Sequence, residues 1–445
     1  MKLPNLFLEN MTTLLGNEAQ MYFEALHSSP STSIRLNPLK SENELSLSHP
    51  VAWCENAFYL SSRPIFTTDP FFHAGHYYVQ EASSMIIDVL IRSLNLSRQL
   101  DVLDMCAAPG GKSTLLSSYL GTTGFLHCHE FDYARALSLK HNILKWGNPN
   151  VAVTTGPLVN LTNTGLTYDV VLVDAPCSGE GMFRKEPKAV EQWSHEKIKR
   201  CQQLQKSILQ IAAHLVKPQG YLIYSTCTFN VEENEMIIKP YIEDLTFNSI
   251  PCSSLPPGPE SPLNMFTYRM MPHRLNGEGL TVSVLKKNSL SKTEFKSSSS
   301  YNAIPNIHQS IMHSQWIREP DAFFPVRLMN QIVALPINHF WKYDQLFKKM
   351  KVIFQGIALG EIKGKDFIPD HALSQSVFVS DTLPNIAFSK QEALSYLKCL
   401  TPACGLQSNA LWQIAKYKSA NLGWIKHSDS RFKNHYPKQY RILNY

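Results

Sequence analysis

Between about residues 96 and 287, short apolar runs alternate with stretches whose apolar residues recur every three or four positions. Leu100–Met105 predicts a strand, followed by a Gly-rich loop and a helix near Lys112–Leu120. Gly124–Cys128 predicts the next strand, then a helix near Tyr133–Trp146 and a strand at Val151–Thr154. Tyr168–Asp174 (Tyr-Asp-Val-Val-Leu-Val-Asp) predicts a buried strand. A long amphipathic helix over His195–Leu215 leads to a strand at Tyr221–Thr226, a helix near Glu232–Tyr241 and a late strand at Leu280–Leu285. This alternation predicts an α/β fold built on a doubly wound, mostly parallel sheet. Such sheets bind ligands outside the carboxyl ends of their strands, and the most unusual residues of the chain fall there.

No internal repeat is visible. The polar, Ser-rich segment 288–300 reads as a linker, and Ile250–Pro262 as a Pro-rich surface excursion. At 445 residues the chain is long enough for several domains. Its 44% hydrophobic and 18% charged content excludes disordered, collagen-like and coiled-coil classes. No apolar stretch reaches the roughly 18 residues of a membrane span, and Glu9 interrupts the N-terminal apolar residues, so no secretory signal is expected. The nine cysteines are scattered, odd in number and without CxxC pairs. They predict reduced thiols in a cytoplasmic protein and no bound metal. The net charge of +6 is unevenly spread: residues 291–445 carry 19 Lys/Arg against 10 Asp/Glu, and the rest 23 against 26. A basic C-terminal third suits a polyanionic partner.

Three segments carry candidate chemistry. Asp104-Met-Cys-Ala-Ala-Pro-Gly-Gly-Lys-Ser113 puts small residues between a strand and a helix, where backbone can approach a ligand closely and helix N–H groups are free. It has neither Walker A nor GxGxxG spacing. An acid, Glu130, ends the next strand, the usual place for a ribose-binding carboxylate. Together they suggest an adenosine-bearing ligand, with Lys112 available to neutralise a carboxylate. Alone, each has a plainer reading, a tight turn and a helix cap. In Asp174-Ala-Pro-Cys-Ser-Gly-Glu-Gly181 a strand delivers an acid and then Cys177; in Tyr224-Ser-Thr-Cys-Thr-Phe-Asn230 another strand delivers Cys227. A single cysteine is usually a buried structural residue, but two following two core strands, one beside an acid, are harder to explain by packing.

Two thiols and a carboxyl group fit one demanding reaction. Carbon-5 of cytosine is a poor nucleophile until a thiolate adds at carbon-6 and makes it enamine-like. An acid donating to N3 favours that addition, and a base must later remove the carbon-5 proton so that the thiol can leave. At an ordinary pKa of about 8.5 only a few per cent of a thiol is ionised at neutral pH, so the site must activate it.

The three segments resemble those of the Sun (nucleolar-protein/Sun) family of RNA cytosine-C5 methyltransferases. Within that family the likeness is to the bacterial small-subunit ribosomal RNA methyltransferases of F type. Ser33-Ile-Arg-Leu-Asn-Pro-Leu-Lys40, Gly75–Met85, Tyr268-Arg-Met-Met-Pro-His-Arg-Leu-Asn-Gly-Glu-Gly279, Gly423-Trp424 and Lys433-Asn-His-Tyr-Pro-Lys438 extend it over nearly the whole chain. The resemblance implies a Rossmann-like methyltransferase domain at 96–287. Before it comes a small α+β domain at 1–95 for RNA binding or packing, and after the linker a PUA-like, β-rich RNA-binding domain at 301–445. It implies methyl transfer from S-adenosylmethionine to cytosine carbon-5 in RNA, with 16S ribosomal RNA as the expected substrate, by a monomer that needs no membrane. Cys106, Ala107, Ala108, Pro109, Gly110, Gly111, Lys112, Glu130 and Asp174 would bind the cofactor. Cys227 would be the nucleophile, Cys177 would assist product release, and Asp174 would lie near cofactor and base. DNA cytosine-C5 enzymes use the Pro-Cys thiol instead, a choice that sequence physics alone leaves open. Where the family carries an Asp after the third strand this chain has Pro157, which implies weaker cofactor binding or a substitute group.

Lys416–Arg441 holds seven basic residues against one acid, with aromatic residues interleaved. Basic groups suit phosphates and aromatic faces stack on unpaired bases, so Lys433, His435, Tyr436 and Lys438 are candidate RNA contacts. The plainer alternative is a β-rich domain with a core of those aromatics. Two other functions stay open: an RNA-binding ribosome assembly factor with a vestigial site, and a methyltransferase for transfer RNA or DNA. An exocyclic-amine methyltransferase is disfavoured, because the fourth strand ends in Asp-Ala-Pro-Cys rather than Asn/Asp-Pro-Pro-Tyr/Phe.

Overall fold

The computed structural model describes residues 2–40, 42–255, 261–288, 316–328, 330–364, 366–401, 410–428 and 431–443. Apart from Asn288, the expected linker lies outside them, as does part of the Pro-rich excursion.

The central sheet uses nine strands: β1 (Asp101–Asp104), β2 (Phe125–Glu130), β3 (Val151–Thr155), β4 (Tyr168–Asp174), β5 (Val216–Thr226), β6 (Phe247–Ser249), β7 (Thr267–Met270), β8 (Leu280–Lys287) and β9 (Lys351–Gln355). Their order is β6-β8-β5-β4-β1-β2-β3-β9, with β7 also paired to β8. The five strands from β5 to β3 pair in parallel, while β8 joins β5 and β9 joins β3 antiparallel. Both faces are covered, so the inner strands are continuously apolar rather than alternating. Val170, Val171, Leu172 and Val173 are fully buried, each contributing about 1.5–3 kcal/mol relative to exposure.

Local sequence sets the helix ends. Helix α1 (Gly111–Leu120) follows β1 directly. Helix α2 (Tyr133–Trp146) begins where the Asp132 side chain accepts from the Arg135 N–H at 2.8 Å and stops at left-handed Gly147. Helix α3 (His195–Leu215) is capped by Ser194, which accepts from Lys197 N–H. The helix predicted from Glu232 starts instead at Glu235, because the Glu233 N–H donates to Asn230 Oδ1 at 2.8 Å and keeps that segment in a side-chain-bonded turn.

The described residues between 316 and 443, which the sequence reading expects within one domain, also complete the central sheet. Strand β9 closes the open edge at β3, and Tyr343 and Leu346 lie in the core on one face of the central sheet. An unpaired edge strand exposes a row of N–H and C=O groups, and β9 satisfies them. Two four-stranded sheets follow, one of Phe323–Leu328, Gln331–Pro336, Ile357–Lys363 and Asp366–Pro369 in that order, the other of Asn385–Ala387, Trp412–Tyr417, Ala420–Ser428 and Arg431–Asn434. The N-terminal part forms its own four-stranded antiparallel sheet over Thr32–Val79. Ile34 and Tyr77 from that sheet, with Phe71 from the short helix Pro70–His73, share a core with Ile386, Tyr396 and Ile425 from the C-terminal end. The N-terminal helix Asn5–Leu15 packs Phe7 and Met11 against Phe183, Trp193 and Phe229. Among the described residues no helix is long and apolar enough to cross a membrane.

Candidate active site

The order of strands reverses at β1, between β2 and β4, and a crevice opens outside their carboxyl ends. After β1 the chain turns through Met105–Gly110 into α1. Gly110 has φ +114°, a left-handed conformation that glycine adopts without strain. Glu130, at the end of β2, accepts from the Ala108 N–H at 3.3 Å and the Asp132 N–H at 3.0 Å. Arg135 on α2 donates to the Ala108 carbonyl at 2.9 Å. The small-residue turn is therefore clasped by the β2–α2 corner.

Two groups anchor Asp174 at the end of β4. Lys112 Nζ donates to Oδ2 at 2.8 Å, and Ser225 Oγ donates to Oδ1 at 2.8 Å. Burial alone would push the Lys112 ammonium down. The Asp174 carboxylate beside it outweighs burial and holds it above the ordinary lysine value. Asp104, beneath the turn, is fully buried and accepts from Ser113 Oγ at 2.6 Å. Burial pushes its carboxyl up to about 7.

Cys177 and Cys227, fifty positions apart in the chain, meet with their sulfurs 3.0 Å apart. The hydrogen bond to Cys227, then burial, raises the Cys177 thiol well above its ordinary value. Cys177 thus keeps its proton and has an S–H to offer the neighbouring sulfur. Acidic side chains brace the two loops. Glu180, one loop over from Cys227, accepts from the Phe229 N–H at 2.6 Å and the Asn230 N–H at 3.2 Å. In return Glu233 accepts from the Ser178 N–H at 2.9 Å, and Gln205 on α3 donates to both Glu233 and the Pro176 carbonyl. Burial raises the Glu233 carboxyl.

These groups border one cavity of about 900 Å³, whose lining includes Cys106, Glu130, Phe131, Asp174, Cys177 and Cys227. Its donor set fits an adenosine-bearing methyl donor: a carboxylate at the β2 end, the small-residue turn, and an apolar wall of Phe131 and Leu158. Pro157 lines the same wall, so no acceptor stands at that position.

Of the residues predicted from sequence, the structure brings Cys106, Ala108, Glu130, Asp174, Cys177 and Cys227 to this cavity. Lys112 reaches it through Asp174. Ser225, Arg135, Glu180 and Glu233 were not singled out. Glu180 lies in the quoted motif between two glycines, but only the fold shows what it braces.

The candidate RNA contacts divide, and the reading of an aromatic stacking platform is corrected. Lys433 and Lys438 are exposed. Tyr436 is only 4% exposed and packs against His371 and Tyr396, while Trp424 and Tyr417 are core residues too. His435 packs edge-on to Trp412, and burial, with Lys433 and Lys426, lowers it to about 4, so it carries no charge at neutral pH. The aromatics turn inward because a small two-sheet domain has little else with which to fill its core.

Three family descriptions match in register along the chain. They are the N-terminal domain of 16S rRNA methyltransferase RsmF at residues 3–82, 16S rRNA methyltransferase RsmB/F at 91–286 and the methyltransferase RsmF PUA domain at 383–442. The chain is 29% identical to the ribosomal RNA small subunit methyltransferase F of Aeromonas salmonicida, over 98% of this chain and 97% of that one. It is 35% identical to that of Citrobacter koseri over 57% of each. Among solved structures, a methyltransferase homolog protein from Pyrococcus horikoshii superposes with TM-score 0.56 and 27% identity, covering 64% of this chain and 95% of the other.

Proposed function

The chain belongs to the RsmB/F family of S-adenosylmethionine-dependent RNA cytosine-C5 methyltransferases, and from that premise we propose that it methylates cytosine in 16S ribosomal RNA through a covalent Cys227 adduct. The approach of the Cys177 and Cys227 sulfurs to 3.0 Å beside Asp174 carries this reading. Full-length likeness to enzymes named for the small-subunit ribosomal RNA supports the substrate.

S-adenosylmethionine, when bound, supplies an electrophilic methyl group. Glu130 would receive the donor's ribose hydroxyls, the Cys106–Gly111 turn would hold its backbone-facing side, and Phe131 and Leu158 would offer an apolar wall to its purine. The target cytosine leaves its stack, at a cost of a few kcal/mol. The Cys227 thiolate, steadied by the Cys177 S–H and by nearby Lys112, forms a bond to carbon-6. As that bond forms, the carbon-5–carbon-6 double bond breaks with its electron pair moving toward carbon-5, and water donates a proton to N3. Asp174, fixed by Lys112 and Ser225, holds the polar edge of the base. After carbon-5 has gained its methyl, water takes the carbon-5 proton, that C–H electron pair restores the carbon-5–carbon-6 double bond, the carbon-6–sulfur bond breaks with Cys227 leaving as thiolate, and N3 returns its proton to water. Cys177 assists this elimination.

Replacing Cys177 by Ala should trap a denaturant-resistant protein–RNA adduct, and Cys227→Ala should form none. An adduct with Cys227→Ala and none with Cys177→Ala would invert the two roles.

A further inference from the structure

A second cavity, of about 430 Å³, opens between the N-terminal sheet and helix α2, bordered by Arg63, Phe66, Phe72, Tyr78, Asn142 and Lys145. Lys145 is only 5% exposed. Its ammonium sits 4.1 Å from the centre of the Phe72 ring, and among the described residues no carboxylate pairs with it. Burial, unopposed by a neighbouring acid, pushes it down to about 8. The half-buried Lys40 Nζ donates to the Lys145 carbonyl at 2.8 Å. At the rim Arg63 is exposed and lies over the Phe66 ring at 5.4 Å. A buried cation without an anion is unfavourable unless a ligand supplies one.

The surroundings specify that ligand. Aromatic faces suit a purine or pyrimidine, two cations suit a phosphate, and a carboxamide suits a base edge. The cavity also touches the methyl-donor turn. Asn142 Nδ2 donates to the Pro109 carbonyl at 2.8 Å, and Tyr78 stands 3.4 Å from where a Cβ on Gly111 would lie.

We propose that this cavity holds one unpaired nucleotide of the RNA substrate, its phosphate on Arg63 and Lys145 and its base against Phe72 and Tyr78. The occupant is a nucleotide other than the target cytosine, because the cavity shares no lining residue with the one that contains Cys227. It anchors the strand beside the target and rests on the RNA-methyltransferase reading.

The test uses the full-length protein and a fluorescently labelled single-stranded RNA containing cytosine. Arg63→Ala and Lys145→Met should each weaken binding about tenfold. Each should also reduce the slope of log affinity on log salt by about 0.7, the share of one phosphate contact on a single strand. In methylation assays the loss should fall on KM for RNA far more than on kcat, and calorimetric affinity for S-adenosylmethionine should persist. Arg63 is exposed, so its variant decides the matter even if Lys145→Met does not fold. Wild-type affinity, salt slope and KM in folded variants would overturn the nucleotide site while the methyltransferase reading stands. A wild-type chain that neither binds nor methylates RNA overturns both.

Discussion

Glu180, three residues past Cys177, accepts a 2.6 Å hydrogen bond from the backbone N–H of Phe229, two residues past Cys227. The loop that carries one sulfur is thereby tied to the backbone of the loop that carries the other. The same carboxylate accepts from Trp193 Nε1 at 3.2 Å, linking the pair to the wall on which the N-terminal helix packs. Glu180 is 1% exposed and Phe229, Asn230 and Trp193 are buried as well, so no water replaces the acceptor for these donors.

Glu180→Ala leaves the Phe229, Asn230 and Trp193 donors buried without an acceptor. Each orphaned group costs about 1–3 kcal/mol, and partial relaxation should bring the total to about 3 kcal/mol. Urea denaturation should show the loss. Single-turnover methylation should fall further than stability predicts, because the two sulfurs are no longer held in register. Glu180→Gln, which keeps an acceptor oxygen, should recover part of both.

Asp104 makes stability depend on pH. Its folded carboxyl titrates near 7 because it is buried, whereas in an unfolded chain an aspartate titrates near 4. Between those values the folded state binds the extra proton, so stability is greatest in acid and declines as pH rises through 7. From pH 5 to 8 this is about 2–3 kcal/mol. Asp104→Asn should flatten that decline, and thermal melts at pH 5 and pH 8 compare the two chains.

Pro157 precedes the short 3-10 helix Leu158–Thr164 in an extended conformation, where an acid would also cap the helix. Pro157→Asp should place a carboxylate on the cavity wall where the family carries one. A hydrogen bond to a charged acceptor is worth about 1.5–3 kcal/mol. Affinity for S-adenosylmethionine should rise about tenfold by calorimetry, and an unchanged affinity would mean that another group already serves the position.

Lys433 on the strand Arg431–Asn434 and Lys438 on the 3-10 helix that follows it are exposed, whereas Tyr436 between them is buried. Reversing both charges should weaken RNA binding about tenfold and lower its salt slope by more than one unit. Tyr436→Ala should instead lower the melting temperature, since removing a buried aromatic costs about 3–5 kcal/mol.

The sequence by itself determined the alternating strands and helices of the central domain. Apolar runs such as Tyr168–Asp174 and the three-to-four spacing of His195–Leu215 are local signals, and their boundaries in the structure agree. It also located each chemical segment at the carboxyl end of a strand, because a parallel sheet leaves its loops there. The fold alone decided relations between distant segments: the 3.0 Å approach of Cys177 and Cys227, the brace from Glu180, the closure of β3 by Lys351–Gln355 and the burial of Tyr436. Local periodicity records which way a residue faces within its own element. Only tertiary packing fixes what stands opposite, and the reactivity of a thiol or the exposure of an aromatic ring depends on that neighbour.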